Sequence, residues 1–387
     1  MRPAWLFLSL PGAILAALGW AADPGVAVTV RNPLALARPS ETIVLQAAEL
    51  RQLLGVPDVR RVHVRDQRGG KDLLVQAVDT NDDGAFEQLL FQADLAPKET
   101  RTFLLVVGDR QIPRLEDYKT YGRFVRERRD DFAWENDRIA HRVYGKELET
   151  FPREPLTSSA IDVWSKRVRK LVIDDWYLVD DYHHDHGEGA DFYSAGSTRG
   201  CGGSGIWAGG KLWPSANFRE SRVFAAGPIR VLFELTYDAW TAGGVRVSEK
   251  KRISLDAGHN LDRIESHYTF GSPIALAHAI GIRKWKDSEM RSDRAQGVLR
   301  TWETVEGGNG KLGIGAIADP ASVTNFAQDD HNFLMLTRID PAAPPVYYAG
   351  FGWTRSGDFS NLEDWDRYLG DYAARLRAPV EVRIEKR

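Results

Sequence analysis

The sequence predicts an all-β fold dominated by a large antiparallel β-sandwich, with a small β-domain ahead of it and few short helices. Three observations carry that expectation. Runs of alternating apolar and polar residues at 229–240, 244–255 and 261–270 are separated only by short turns such as Gly227-Pro228, Gly243-Gly244 and Ala257-Gly258. Long strands joined by short turns indicate an antiparallel sandwich or barrel. Helical spacing is scarce; its best case is 363–376, where Leu362, Trp365, Leu369 and Tyr372 recur. The chain has 387 residues, 43% of them hydrophobic, and a single cysteine, Cys201. An intramolecular disulfide is therefore impossible, and a large core must hold the fold together.

In chain order, the first residues read as an export signal. Arg2 precedes a broken apolar run over 5–18, and Gly19-Trp20-Ala21 places small residues at both recognition positions. Residues 1–21 are then removed, leaving a soluble chain in the periplasm or outside the cell; the run is too short and interrupted for a membrane span. Residues 22–112 read as the small N-terminal β-domain, with strands at 26–30, 42–45, 59–64, 73–78 and 101–107 and a short helix at 47–54. Within it, Asp79, Asn81 and Asp83 alternate ahead of Gly84, as a calcium loop opens. Leu90 stands where the bidentate Glu of such a loop belongs, which favours a polar turn between strands. Residues 113–387 read as the sandwich. The charged stretch 114–129 has no clear period and reads as a link between the domains. Residues 132–144 alternate, with Trp134, Glu135 and Arg142 among them, as a sheet lining a cleft or facing solvent would. Further strands fall at 221–225, 275–284, 312–317, 332–336 and 346–353.

A formal net charge of -3 gives no electrostatic case for nucleic acid or an anionic membrane. Twelve tryptophans and twelve tyrosines suit stacking on sugar rings, although most such residues serve cores. Carbohydrate is the expected partner.

The most informative stretch is 179–212. His183, His184 and His186 fall within four positions, among Asp180, Asp181, Asp185, Glu188 and Asp191, and nine glycines lie between Gly187 and Gly210. Tyr182, Tyr193, Arg199 and Lys211 add phenols and fixed charge. Glycine at this density has poor helix and strand propensity, so the stretch reads as a long loop with a function. A metal site is disfavoured: on a strand His184 and His186 face one way and His183 the other, and the helical i, i+4 histidine pair is missing. A serine hydrolase would use Ser194, Ser197 or Ser204, but no Gly-x-Ser-x-Gly elbow occurs. A glycosidase needs two carboxylates facing across a cleft, for which Glu135, Asp137, Glu188 and Asp191 are available. β-Elimination on a uronic acid needs a base, an acid and a cation, and the loop holds histidine, tyrosine and arginine. It needs no diffusible cofactor, and no cofactor motif is evident. The candidate catalytic residues are His184, His186, Tyr193 and Arg199. Arg142, Trp134, Glu135, His183, Glu188 and Lys211 are the candidate substrate contacts.

Three motifs carry a resemblance: WENDRIAHRVYG at 134–145, HHDHGEGAD at 183–191 and AGFGWTRSGDF at 349–359. By them the chain resembles a family of exported bacterial proteins classed as a domain of unknown function and typical of polysaccharide-utilisation gene clusters. The resemblance implies a galactose-mutarotase-like supersandwich, as in many polysaccharide lyases. It also places the chain near an oligosaccharide dehydratase of ulvan breakdown. It assigns no catalytic residue. The expected function is thus a lyase or dehydratase on uronate-containing oligosaccharides. A glycoside hydrolase and a non-catalytic sugar-binding protein are the alternatives, and a mutarotase or epimerase rests on fold analogy alone. For the first residues, intact-mass measurement of exported protein should give a chain beginning at Ala22; a membrane fraction that retains Met1 would refute the signal reading.

Overall fold

The computed structural model describes residues 25–153, 155–272, 276–340 and 342–387, so the export-signal reading lies outside the described residues. No helix among them is long and apolar enough to cross a membrane. Strands dominate and pair antiparallel in five sheets, as the all-β expectation requires.

The N-terminal residues build two small sheets round an aliphatic core that includes Val28, Val64, Phe91 and Phe103. The strand Val26–Arg31 pairs on one side with Thr100–Val107 and on the other with Glu381–Lys386, in a register that sets Val28 against Ile384. The last strand of the chain therefore completes the first sheet. Gln76 ties this part to the sandwich. Its carbonyl accepts from the backbone N–H of Ile229 and Arg230 at 2.9 and 2.7 Å, and its amide donates to the Arg230 carbonyl at 2.9 Å.

The sandwich has an eight-stranded sheet running from Phe218–Ala226 to Glu289–Asp293 and a five-stranded sheet centred on Ala277–Arg283. A third sheet, from Thr120–Val125 through Asp131–Asn136, Ala140–Val143 and Asp162–Lys166 to Gly189–Ala190, sends one face into the same core. Phe132, Trp134, Phe233, Ile264, Ile282, Met335 and Phe351 meet there. Three α-helices lie among the described residues: α1 (Ala47–Leu54), α2 (Ile173–Val179) and α3 (Leu362–Arg377). α3 is the helix expected from Leu362, Trp365, Leu369 and Tyr372. Asn361 caps it by accepting from the Asp364 N–H, and Trp365, Leu369 and Ala373 are its buried residues.

The structure corrects the sequence reading in three places. Thr120–Val125 is a strand within the stretch read as a link; it lies at a sheet edge, where one side needs no apolar pattern. The segment entering the histidine loop forms α2. Most notably, Cys201–Ala208 (CGGSGIWA), inside the glycine-rich stretch, is an interior strand of the five-stranded sheet. Its glycines are there for closeness. A Cβ on Gly202, whose φ is +88°, would lie 2.2 Å from the Ala349 Cβ of the facing sheet.

The interior also contains a polar cluster. Trp134 Nε1 donates to Asp262 Oδ1 at 2.9 Å, and His141 Nε2 lies 3.4 Å from Asp262 Oδ2. The Asp162 carbonyl, 2.9 Å from His141 Nδ1, can only accept, so Nδ1 carries the ring proton and Nε2 is left as the acceptor. Burial pushes the Asp262 carboxyl up to about 8 and the His141 imidazole down to about 4. The pair is thus a carboxylic acid facing a neutral imidazole. Between about pH 4 and 8 the unfolded chain has already released the carboxyl proton while the folded chain still holds it, so this group's contribution to stability falls as pH rises. His141 acts with the opposite sign, but only between about pH 4 and 6.5. Asp262→Asn retains a donor for Nε2 and an acceptor for Trp134. Its melting temperature should match wild type near pH 4 and exceed it by a margin that grows up to pH 8. Asp131, which burial holds up to about 7, should leave part of the slope in place. Parallel melting curves that never diverge would show that Asp262 is ionised in the fold.

Candidate active site

The third sheet turns its other face toward the segment 167–191, which lies across it as a cover. Three interactions place that cover. Lys166 Nζ, buried, reaches Glu135 at 2.6 Å, the Asn136 carbonyl at 2.8 Å and the Lys170 carbonyl at 2.7 Å. Glu135 accepts from the backbone N–H of Val172 and Ile173 at 2.7 and 2.8 Å, so a carboxylate from the sheet satisfies the start of α2. Arg142 donates to Asp162 at 2.9 Å, to Asp191 at 2.8 Å and to the Tyr182 hydroxyl at 3.3 Å, pinning both ends of the histidine loop. Gly189 lies so close to the sheet that a Cβ there would come 2.0 Å from the Ser165 carbonyl oxygen.

Between those pins the loop projects. The Asp181 carboxylate holds two imidazoles: His184 Nδ1 at 2.5 Å and His186 Nε2 at 2.9 Å. Because an ionised carboxylate only accepts, those two nitrogens carry protons, and in a neutral ring the acceptor would be His184 Nε2 or His186 Nδ1. The hydrogen bonds from His184 and then His186 hold the Asp181 carboxyl below its usual range. All three line a cleft of about 370 Å³ together with Trp176, Lys170 and Glu188, a size within the roughly 300–1,000 Å³ usual for ligand sites. Lys170 Nζ lies 2.8 Å from Glu188 and 3.2 Å from Asp175, and Trp176 Nε1 donates to Glu188 at 3.3 Å. The exposed Val179 adds an apolar side chain to this lining.

The residues singled out from sequence divide into two sets. His184, His186 and Glu188 meet in the cleft. His183 does not: its Nδ1 lies 3.3 Å from the Asp191 carbonyl and its ring packs on Tyr182. Trp134 is in the sandwich core, and Glu135 and Arg142 are the buried supports just described. Lys211 sits over the Trp213 ring on an edge hairpin. Tyr193 is buried with the Arg283 guanidinium 3.9 Å from its ring centre and no partner for its hydroxyl. Burial pushes that phenol well above its ordinary value. Arg199 is buried as well. It donates to Ser159, to Ser158 and to the Ser204 carbonyl, and burial lowers its guanidinium to about 10. The structure therefore does not bring Tyr193 and Arg199 to His184 and His186. Sequence reasoning did not select Asp181, Lys170 or Trp176. The Asp181-x-x-His184 spacing was the available signal for the first; the other two needed α2.

Asp79, Asp83 and Glu87 place carboxylate oxygens within 4.8 Å of one another. The third acid is thus Glu87, seven residues from Thr80, whose N–H and hydroxyl it also accepts.

The architecture is that of a large antiparallel β-sandwich. A glycosyl hydrolase family 38 protein from Enterococcus faecalis has a similar fold, with a TM-score of 0.56 at 8% identity over 94% of this chain; the chain spans about half, 48%, of that protein. The chain belongs to the family described as a domain of unknown function, DUF4861, matching it over residues 30–382. A relative, Uncharacterized protein P7 of Formosa agariphila, is 33% identical over 373 residues, covering 92% of this chain and 93% of its own.

Removing Arg142 would strand Asp162 and Asp191 as buried acids, which costs about 3–5 kcal/mol. Arg142→Ala should lower the denaturation midpoint markedly, whereas His184→Ala, which removes an exposed ring, should leave it unchanged. Equal midpoints for the two would mean that Arg142 does not hold the loop.

Proposed function

We propose that this protein is a carbohydrate-active enzyme that carries out β-elimination on uronate-containing oligosaccharides, as a lyase or a dehydratase, at the cleft between α2 and the histidine loop. The observation that carries the reading is the Asp181 carboxylate fixing both His184 and His186 beside an indole, each by one ring nitrogen. One imidazole takes the proton from the carbon next to the uronate carboxyl. That C–H electron pair becomes the new carbon–carbon double bond as the bond to the leaving oxygen breaks. The other imidazole, protonated, gives its proton to that oxygen, which departs as an alcohol in a lyase or as water in a dehydratase. Lys170 is the cation in the cleft lining for the charge that builds on the carboxyl group. Tyr193 and Arg199, once grouped with the histidines by sequence proximity, have no part in this scheme. The first residues support action outside the cytoplasm.

Mass spectrometry of uronate oligosaccharides incubated with the protein distinguishes the outcomes. Cleavage without water, with new ultraviolet absorbance, marks a lyase, and loss of water marks a dehydratase. Addition of water marks a hydrolase and overturns the proposal. His184→Ala and His186→Ala should each reduce turnover by about 10²–10⁴-fold. Tyr193→Phe should retain it. Normal turnover in both histidine variants would move the chemistry elsewhere.

A further inference from the structure

A second cleft, sharing no lining residue with the first, opens where the N-terminal sheets, the sandwich and α3 meet. Its volume is about 290 Å³. Glu41 comes from the first part, Arg230, Asp256, His259 and Tyr348 from the sandwich, and Tyr372 and Arg375 from α3. Most of the charge in this lining is already matched. Arg230 grips Asp256 through two hydrogen bonds of 2.5 and 2.7 Å, and Glu41 pairs with Arg38 at 2.9 Å. His259 Nε2 donates to the Ser40 carbonyl at 2.9 Å. Arg263, also in the lining, pairs with Glu265. Arg375 is different. Its Nη2 donates to the Ala37 carbonyl at 3.1 Å, its Nε is buried without a partner, and it has no carboxylate partner among the described residues. A half-buried guanidinium with donors to spare, in a concave site whose other charges cancel, is a seat for an oxyanion. Beside it the Tyr348 and Tyr372 rings, 5.6 Å apart, give a half-buried aromatic wall of the kind on which the apolar face of a sugar ring packs.

We infer that this junction is a second saccharide site, which holds a uronate unit of the substrate chain by Arg375 and the two tyrosines without taking part in the chemistry. The inference rests on the uronate reading of the first cleft, and it gives the protein a binding contact with long substrates that short ones lack. Because the walls come from both ends of the chain, the site exists only in the fully assembled fold.

The test is calorimetric titration of the full-length His184→Ala protein, which is expected to be inert, with tetragalacturonate and with cellotetraose. Turnover of the otherwise wild-type Arg375→Ala protein is measured in parallel. Tetragalacturonate should fill two sites and cellotetraose should not fill the second. Adding Arg375→Ala to the inert protein should weaken the second site by about tenfold or more. The Arg375→Ala enzyme should keep its kcat on short substrates and show a raised KM on long ones. Single-site binding unaffected by Arg375→Ala, alongside normal elimination activity, would overturn the junction site alone. Binding at the junction with no elimination of any uronate substrate would instead overturn the reading of the first cleft. Equal binding of the neutral tetrasaccharide would overturn the role of Arg375 as an oxyanion seat.

Discussion

One buried guanidinium sets the geometry on which the candidate site depends. Arg142 stands among Asp162, Asp191 and Asp131, the last at 3.6 Å, in a part of the molecule closed to water. Three acids round one base would be a costly excess of negative charge in the interior. Burial resolves it by holding Asp131 up to about 7 and Asp191 well above its ordinary range, so the cluster keeps protons in place of charge. The fixed points for the loop are then Tyr182 and Asp191. The residues between them are left to project, and those include His184 and His186. The histidines are presented to solvent because the chain on either side of them is anchored.

Glu135 and Lys166 make a second anchor of the same kind for α2. This helix has only seven residues and no side-chain cap of its own. An isolated helix of that length would not persist in water. Here the buried carboxylate of Glu135 meets the first N–H groups, where the helix dipole also favours negative charge, and Trp176 and Tyr177 pack on Trp164. The consequence for the cleft is direct. Trp176 and the adjoining Lys170 are positioned by the sheet, so the wall facing the histidines is as firmly placed as the sheet itself.

Arg230–Ala242, Val245–Asp256, Leu261–Phe270 and α3 were legible in the sequence because each has a buried and a more exposed face, which imprints a period on the residues. Ala277–Arg283, Lys311–Ala318, Asn332–Arg338 and Val346–Trp353, buried on both faces, were legible as short apolar runs between turns. What lacked both signals was missed. Cys201–Ala208 is covered on both sides, and its glycines answer to Ala349 and the neighbouring backbone, so composition pointed to a loop. Thr120–Val125 lies at an edge, and Glu381–Lys386 finds its partner only at the other end of the chain. The histidine loop was legible as a candidate site by its residue types; His183 does face away from His184 and His186, but in a run of turns and bends, where strand alternation does not apply. Which of its neighbours shared the site was not legible. Tyr193 and Arg199 lie within fifteen residues of His184 in sequence but belong to the interior of the sandwich, whereas Lys170 and Trp176 reach the cleft through a helix the residue pattern did not announce.

The charge of the cleft bears on how two like residues can do unlike work. Lys170 is set against Asp175, Asp181 and Glu188, so the lining is two charges negative while both imidazoles are neutral. A uronate carboxylate would meet that field unfavourably. Protonating one imidazole halves the excess and, in the proposed elimination, would supply the acid for the leaving oxygen; protonating both cancels it but leaves no base. The state with one charged and one neutral ring is the one that admits an anionic sugar and still contains both proton-transfer partners. Asp181 suits that state, because a single carboxylate bonded to both rings stabilises whichever carries the charge and lets the proton's place be decided by the substrate.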